Sequence, residues 1–334
     1  MKDLLERRRN RGITMDRGRN PTPWVQAALA LIRAGSRTMP PPLPVDSRTY
    51  LFPSPRRIQA GPVTLGLLQW PSDGPTLLLV HGLNANAWIW ARTACLLSPE
   101  RNVLAMDQRG HGRSDVPPAG HYSLAHTSTD LEQLLDALDL DQVDLAGHSW
   151  GGLVVAHFAA TRPERVRSLI LADPVLPQGL NRIYRALDAV LDALFAAERG
   201  PFPDEASWWN AYHLIEFLFR DDPMDRRFWK ENFVRRPDGS FHHRLPDDAF
   251  EEILYRTLMS DVRAQVRGIR CPVLLMKATA TINFLPGELW WTRRHLFPRE
   301  VTIAGSHSFI HANPVDSARA MRAFLHETSP VRRR

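Results

Sequence analysis

Short apolar runs recur along this chain, most of them closed by Gly, Pro, Asp or Asn. They are VTLGLLQW (Val63–Trp70), TLLLVHG (Thr76–Gly82), NVLAMD (Asn102–Asp107), VDLAGHS (Val143–Ser149), SLILAD (Ser168–Asp173), PVLLMK (Pro272–Lys277) and REVTIAG (Arg299–Gly305). Runs of strand length that are continuously apolar, rather than alternating, suit strands buried on both faces of a parallel sheet. Helical patterns lie between them: LEQLLDALDL (Leu131–Leu140), GGLVVAHFAATRP (Gly151–Pro163) and DSARAMRAFLHE (Asp316–Glu327). Parallel strands need long crossovers, and helices supply them. The pattern therefore predicts an α/β fold with a doubly wound, mostly parallel sheet.

One interval breaks the rhythm. From Val175 to Gln265 no buried strand stands out, and Trp208, Trp209, Phe217, Phe219, Phe228, Trp229 and Phe233 crowd the segment. This predicts a helical insertion, 175–265, between core segments 46–174 and 266–330. Residues 1–45 form a basic extension that closes on the stiff run PPPLP (Pro40–Pro44). A pocket between such an insertion and the core would inherit some of this aromatic surface, which points to an apolar or aromatic small-molecule substrate.

The chain has 334 residues, 44% hydrophobic and 23% charged, enough for a sizeable core without metals or crosslinks. Its net charge of +6 is a property of one end: residues 1–39 carry nine Lys/Arg against three Asp/Glu. A balanced body with a basic tail argues against a nucleic-acid groove. Two cysteines far apart, Cys95 and Cys271, fit a reducing compartment, so the cytoplasm is the default expectation. WVQAALALI (Trp24–Ile32) is too short to span a bilayer, and no transmembrane segment is expected. No spacing matches a metal site, a phosphate loop or a dinucleotide fingerprint, so no cofactor or metal is expected. Oligomeric state is left open by the sequence.

The chemistry centres on AGHSWGG (Ala146–Gly152). Gly147-His148-Ser149-Trp150-Gly151 fits G-x-S-x-G with a strand before it and a helix after it, the setting in which a strained turn projects a nucleophilic serine. The following helix points free N–H groups and its positive end toward that serine. A second loop, HGLNANAW (His81–Trp88), also follows a strand; its Leu83 N–H can pair with the Trp150 N–H as an oxyanion hole. Each such donor is worth about 3 kcal/mol when lost.

In order, HGLN, DQRGHGRSD (Asp107–Asp115), GHSWGG, LILADP and GSHSFIHANP resemble the α/β-hydrolase fold superfamily over roughly Arg57 to Leu325, outside the insertion. The insertion resembles the cap that many members carry. The resemblance implies a catalytic histidine after the last strand, which is His307; His311 reads as a loop or pocket residue. It also implies an acid after the penultimate strand, where this sequence has Thr281 instead, with no Asp or Glu from Val262 to Gly287. Some members carry the acid one strand earlier, a place held here by Asp173, with Glu288 as the alternative. His81, His111 and His148 flank the motifs and are read as packing or loop residues.

The expected function is a serine hydrolase of esterase type, cleaving a carboxylic ester, lactone or thioester through an acyl-enzyme. A serine nucleophile argues against dehalogenase or epoxide-hydrolase chemistry, which needs a carboxylate there. The same residues also suit C–C bond hydrolysis or acyl transfer. Thr281 keeps a non-catalytic ligand-binding protein with a degraded triad open as well.

Overall fold

Each of the seven apolar runs forms a strand in the computed structural model, which describes residues 51–176, 199–208, 223–258, 260–281 and 286–328. The main sheet has eight strands: β1 (Ser54–Ala60), β2 (Val63–Trp70), β3 (Thr76–Val80), β4 (Asn102–Met106), β5 (Val143–His148), β6 (Val166–Ala172), β7 (Val273–Ala278) and β8 (Arg299–Ile303). Their spatial order is β1-β2-β4-β3-β5-β6-β7-β8. β2 runs antiparallel to both neighbours, and all other pairs are parallel. The sheet is thus the α/β-hydrolase type anticipated from the motifs.

Burial explains the continuous runs. Leu77, Leu78, Leu79 and Val80 of β3 and every residue of β5 are inaccessible, because helices cover both faces. Each such leucine or valine contributes about 1.5–3 kcal/mol. The described α-helices of seven residues or more are α1 (Ala91–Leu97), α2 (Leu124–Ala137), α3 (Trp150–Thr161), α4 (Pro223–Asn232), α5 (Asp247–Leu258), α6 (Pro286–Leu296) and α7 (Pro314–Thr328). α2 is capped by the Ser123 hydroxyl and buries Leu131, Leu134 and Leu135 on one face. α3 is apolar nearly all round and is buried against β5 and β6.

β1 has no counterpart among the apolar runs. SPRRIQA is exposed along most of its length, and the backbone ladder to β2 holds it. An edge strand in water needs no apolar face, so hydrophobic patterning is blind to it.

By their internal contacts the residues divide into two compact units. The larger holds the sheet, its helices and also α4 and α5. Among described residues the smaller holds 199–208 and 235–243, where Phe202 and Phe241 exchange backbone hydrogen bonds of 2.9 and 2.8 Å. There the Trp208 ring stacks on Phe241 at 5.8 Å. The expected insertion, 175–265, is shared between the two units. It contains two three-residue strands, Phe233–Arg235 and Phe241–His243, too short to leave a period in the sequence. Among the described residues no helix is long and apolar enough to cross a membrane. The basic extension, 1–45, lies outside the described residues.

α3 meets the end of β3 as glycine against backbone. A Cβ on Gly151 would stand 2.3 Å from the His81 carbonyl oxygen and 2.6 Å from that of Val80. Neither carbonyl can retreat without breaking the β3–β5 junction. Gly151→Ala should therefore destabilise the protein by about 2–3 kcal/mol, read as a lowered urea midpoint; an unchanged midpoint would contradict this packing.

Candidate active site

β5 ends at His148 and α3 begins at Trp150, so Ser149 alone makes the turn, at φ 56 and ψ −123. A positive φ strains a residue with a Cβ, and surrounding bonds must hold it. The Ser149 N–H donates to the Ala172 carbonyl (3.1 Å), and its own carbonyl accepts from Gly152 (2.9 Å) and Val175 (3.1 Å). A serine before a helix ordinarily caps it, but the Ser149 hydroxyl makes no cap bond. Gly147 and Gly152 let α3 close on β5 and on Pro174: an added Cβ would lie 2.3 Å from the Gly151 oxygen and 2.6 Å from Pro174 Cβ respectively.

The loop after β3 meets the serine directly. A Cβ on Gly82 would fall 2.9 Å from Ser149 Cβ, so only glycine lets HGLN lie against it. Leu83 follows Gly82, and neither its N–H nor that of Trp150 is bonded to another described residue. Two loops thus bring two backbone donors to the neighbourhood of one serine.

His307 lies in the loop after β8, and its Nδ1 is 2.7 Å from Asp173 Oδ2. Asp173 directly follows β6, has a φ of 43 and is fully buried. Its carboxylate also accepts from the Thr281 hydroxyl (2.9 Å) and the Ala278 N–H (3.2 Å). Burial pushes its pKa up, but the bonds and charge of His307, then Thr281 and Ala278, outweigh that and hold it below 3.8. The residue at the expected acid position is therefore a donor to a carboxylate one strand away. Thr279 braces the same loop, its hydroxyl oxygen accepting from the Gly305 N–H at 3.0 Å. The Glu288 side chain lies outside the described residues.

Among the described residues no hydrogen bond joins Ser149 Oγ to His307. His307 is linked to the serine turn through His148, whose Nε2–H donates to the His307 carbonyl at 2.9 Å, with ring centroids 4.5 Å apart. Burial, then the neighbouring His307, lowers the His148 pKa to about 3, so its ring is neutral. His81 is likewise neutral, its pKa driven well down by burial and by His111. Its Nδ1–H donates to the Gly82 carbonyl (2.7 Å) and its Nε2 accepts from Gln108 (3.0 Å), which fixes its tautomer. His111 is buried, with Nδ1 3.0 Å from the Arg109 carbonyl. These three behave as the packing and loop residues expected of them.

His311 was expected in a loop or pocket; instead it is wholly buried, its Nε2 2.7 Å from Asp225 Oδ1 and 2.6 Å from Arg92 Nη1. Asp107 was quoted only as part of a motif. Its buried carboxylate holds the HGLNANAW loop through the Ala87 N–H (2.7 Å) and its own motif through the Arg113 N–H (3.0 Å). Burial raises its pKa to about 6 against those bonds. Asn86, Asp225 and Asn232, also buried near these loops, carried no sequence signal beyond being polar.

Residues 75–309 match the family model described as alpha/beta hydrolase fold. A fluoroacetate dehalogenase of a Burkholderia species is 27% identical over 81% of this chain and 93% of its own length. The RutD protein of Pseudomonas syringae pv. syringae, provisionally named a carbamate hydrolase, is 30% identical over 76% of this chain and 95% of its own. The crystal structure of E-2-(acetamidomethylene)succinate hydrolase superposes with a TM-score of 0.72 at 24% identity, covering 82% of this chain and 99% of that one.

A carboxyl whose pKa is lower folded than unfolded stabilises the fold above pH about 4, and that contribution fades as pH falls through the folded value. Thr281→Val, which removes one donor to Asp173, should raise the Asp173 pKa and cost about 1 kcal/mol at pH 7. The urea-midpoint gap from the unmodified protein should close on acidification below pH about 4. A gap independent of pH would assign the loss to packing.

Proposed function

The chain belongs to the alpha/beta hydrolase fold family, and we propose that within this family of hydrolases it is a serine hydrolase working through an acyl-enzyme. The observation that carries this is the 2.7 Å contact between His307 Nδ1 and buried Asp173. A histidine held by a carboxylate at Nδ1 keeps Nε2 unprotonated and able to take a proton, and its cation is stabilised when it does. A degraded triad would leave that ring without its partner, so the bond weighs against the non-catalytic reading.

In the proposed reaction Ser149 Oγ attacks the substrate carbonyl carbon while His307 Nε2 takes the hydroxyl proton. The carbonyl π pair moves onto oxygen, which the Leu83 and Trp150 N–H groups receive. Collapse expels the alcohol or thiol, protonated by His307, and leaves an ester on Ser149. Water, deprotonated by the same Nε2, attacks that ester and releases the acid, returning the proton to Ser149. Strain at φ 56 supports the nucleophile's role, since a turn of that cost persists where it serves the site.

The substrate class we favour is a carboxylic ester, lactone or thioester of a largely apolar small molecule. Support for the carbonyl chemistry comes from the nucleophile: a serine alkoxide adds to a carbonyl, whereas displacement of fluoride by the relative's named activity would require an ester formed on a carboxylate. The insertion's aromatic content supports the apolar preference.

A fluorophosphonate probe should label Ser149, and a short p-nitrophenyl ester should be turned over; Ser149→Ala should abolish both. Asp173→Asn should lower kcat by about 10³–10⁴-fold. Pairing it with Thr281→Asp, which places a carboxylate on the neighbouring strand's loop, should recover part of the loss. Intact protein that neither labels nor turns over would overturn the reading.

A further inference from the structure

α4 lies in the insertion, yet its buried face carries polar groups that end on the HGLN loop and on the short helix Phe309–Ala312 that follows His307. At its C-terminal end, Asn232 Nδ2 donates to the Asn84 carbonyl (3.0 Å), and Asn232 Oδ1 accepts from Asn86 Nδ2 (2.8 Å). Asn86 Nδ2 is also 2.7 Å from the Phe228 carbonyl, while Asn86 Oδ1 accepts from the Trp88 N–H at 2.9 Å. At the N-terminal end, Asp225 meets His311 Nε2 at 2.7 Å and Arg92 Nη2 at 2.9 Å. Asp225 and Asn232 are seven residues apart, two helical turns on one face, separated by about 10 Å along the axis. Phe228 sits between them, its ring centroid 6.3 Å from that of His311. One stripe of α4 therefore spans from the HGLN loop to the segment that follows His307.

From this geometry we infer that α4 is a positioning element for the proposed reaction, with Asn232 setting the oxyanion loop and Asp225 setting the loop of the base. Its catalytic meaning rests on the serine-hydrolase reading; the tether itself does not. Asn232 and Asp225 are 2% and 0% exposed, too buried for their polar groups to be solvated, so their hydrogen bonds must be made within the protein. Apolar side chains would fill the same space but would leave the loop's orientation undirected. Directionality matters most at Leu83. Asn84 has a φ of 59 and its carbonyl is pinned by Asn232, so the peptide planes on either side of Leu83 are fixed between that pin and Gly82 against Ser149. A donor displaced by about 1 Å costs an oxyanion hole on the order of 10²-fold in rate. None of these residues reaches the reacting atoms; they act through the loops.

The test uses the full-length protein with Asn232→Leu, close in volume and without hydrogen bonds, and Asn232→Asp, which keeps the acceptor and loses the donor to Asn84. Deuterium uptake followed by mass spectrometry should rise about tenfold in the segment 82–90 in both, with β5 and α3 unchanged. With a p-nitrophenyl ester, kcat should fall about 10–100-fold at nearly constant KM, and a boronic acid that mimics the tetrahedral adduct should bind weaker by the same factor. Asp225→Asn should raise uptake in 305–313 instead. Unchanged uptake in 82–90 in a folded Asn232 variant would overturn the inference, as would an increase spread evenly through β5 and α3. An unmodified protein that neither labels nor hydrolyses would sink the serine-hydrolase reading, while the uptake arm would still decide the tether.

Discussion

The rest of the site depends on one backbone turn. Ser149 reverses the chain from β5 into α3 at a positive φ, and three backbone hydrogen bonds hold it there. That turn requires α3 to pass within a carbonyl's reach of β3, which is why Gly151 faces the Val80 and His81 oxygens. The same closeness brings Gly82 against the serine. Relaxing the turn would separate the serine, the helix end and the HGLN loop together, so one strained residue organises three elements.

The carboxylate beside His307 illustrates how neighbouring strands share a task. β6 and β7 are adjacent and parallel, so the loops leaving their ends lie side by side. Asp173 on the first and Thr281 on the second come to 2.9 Å. With Asp173 at the end of β6, the end of β7 and the loop after it supply donors: Thr281 and Ala278 to the carboxylate, and the Thr279 hydroxyl to the Gly305 carbonyl. His307, then Thr281 and Ala278, offset the cost of a fully buried charge and keep it ionised.

Buried polar groups do the remaining alignment. His81, Asp107, Asn86 and Asn232 each make at least one hydrogen bond to loop backbone. Hydrophobic contact alone would let these loops slide; a hydrogen bond in a dry interior specifies direction as well as distance. Asn232 belongs to α4, so a helix of the segment 175–265 contributes to this set.

Much of the fold was legible from residue order. Runs such as TLLLV and VDLAG can only be strands buried on both faces, and GHSWGG demands small residues where chains cross; both are local consequences of sterics and burial. β1 was not legible because its pairing is backbone to backbone, with SPRRIQA facing water. For the candidate site, the motifs single out Ser149, His307 and the HGLN loop, and Thr281 stands where the family resemblance leads one to expect an acid. Only tertiary structure decided what stood beside His307: Asp173 lies 134 positions from it, and such a contact depends on β6 and β7 being neighbours. The burial of His311 with Asp225 and Arg92, and the clasp of Asn232 on Asn84, were hidden for the same reason. A polar side chain announces that it will need a partner; which partner is fixed by the packing of elements far apart in the chain.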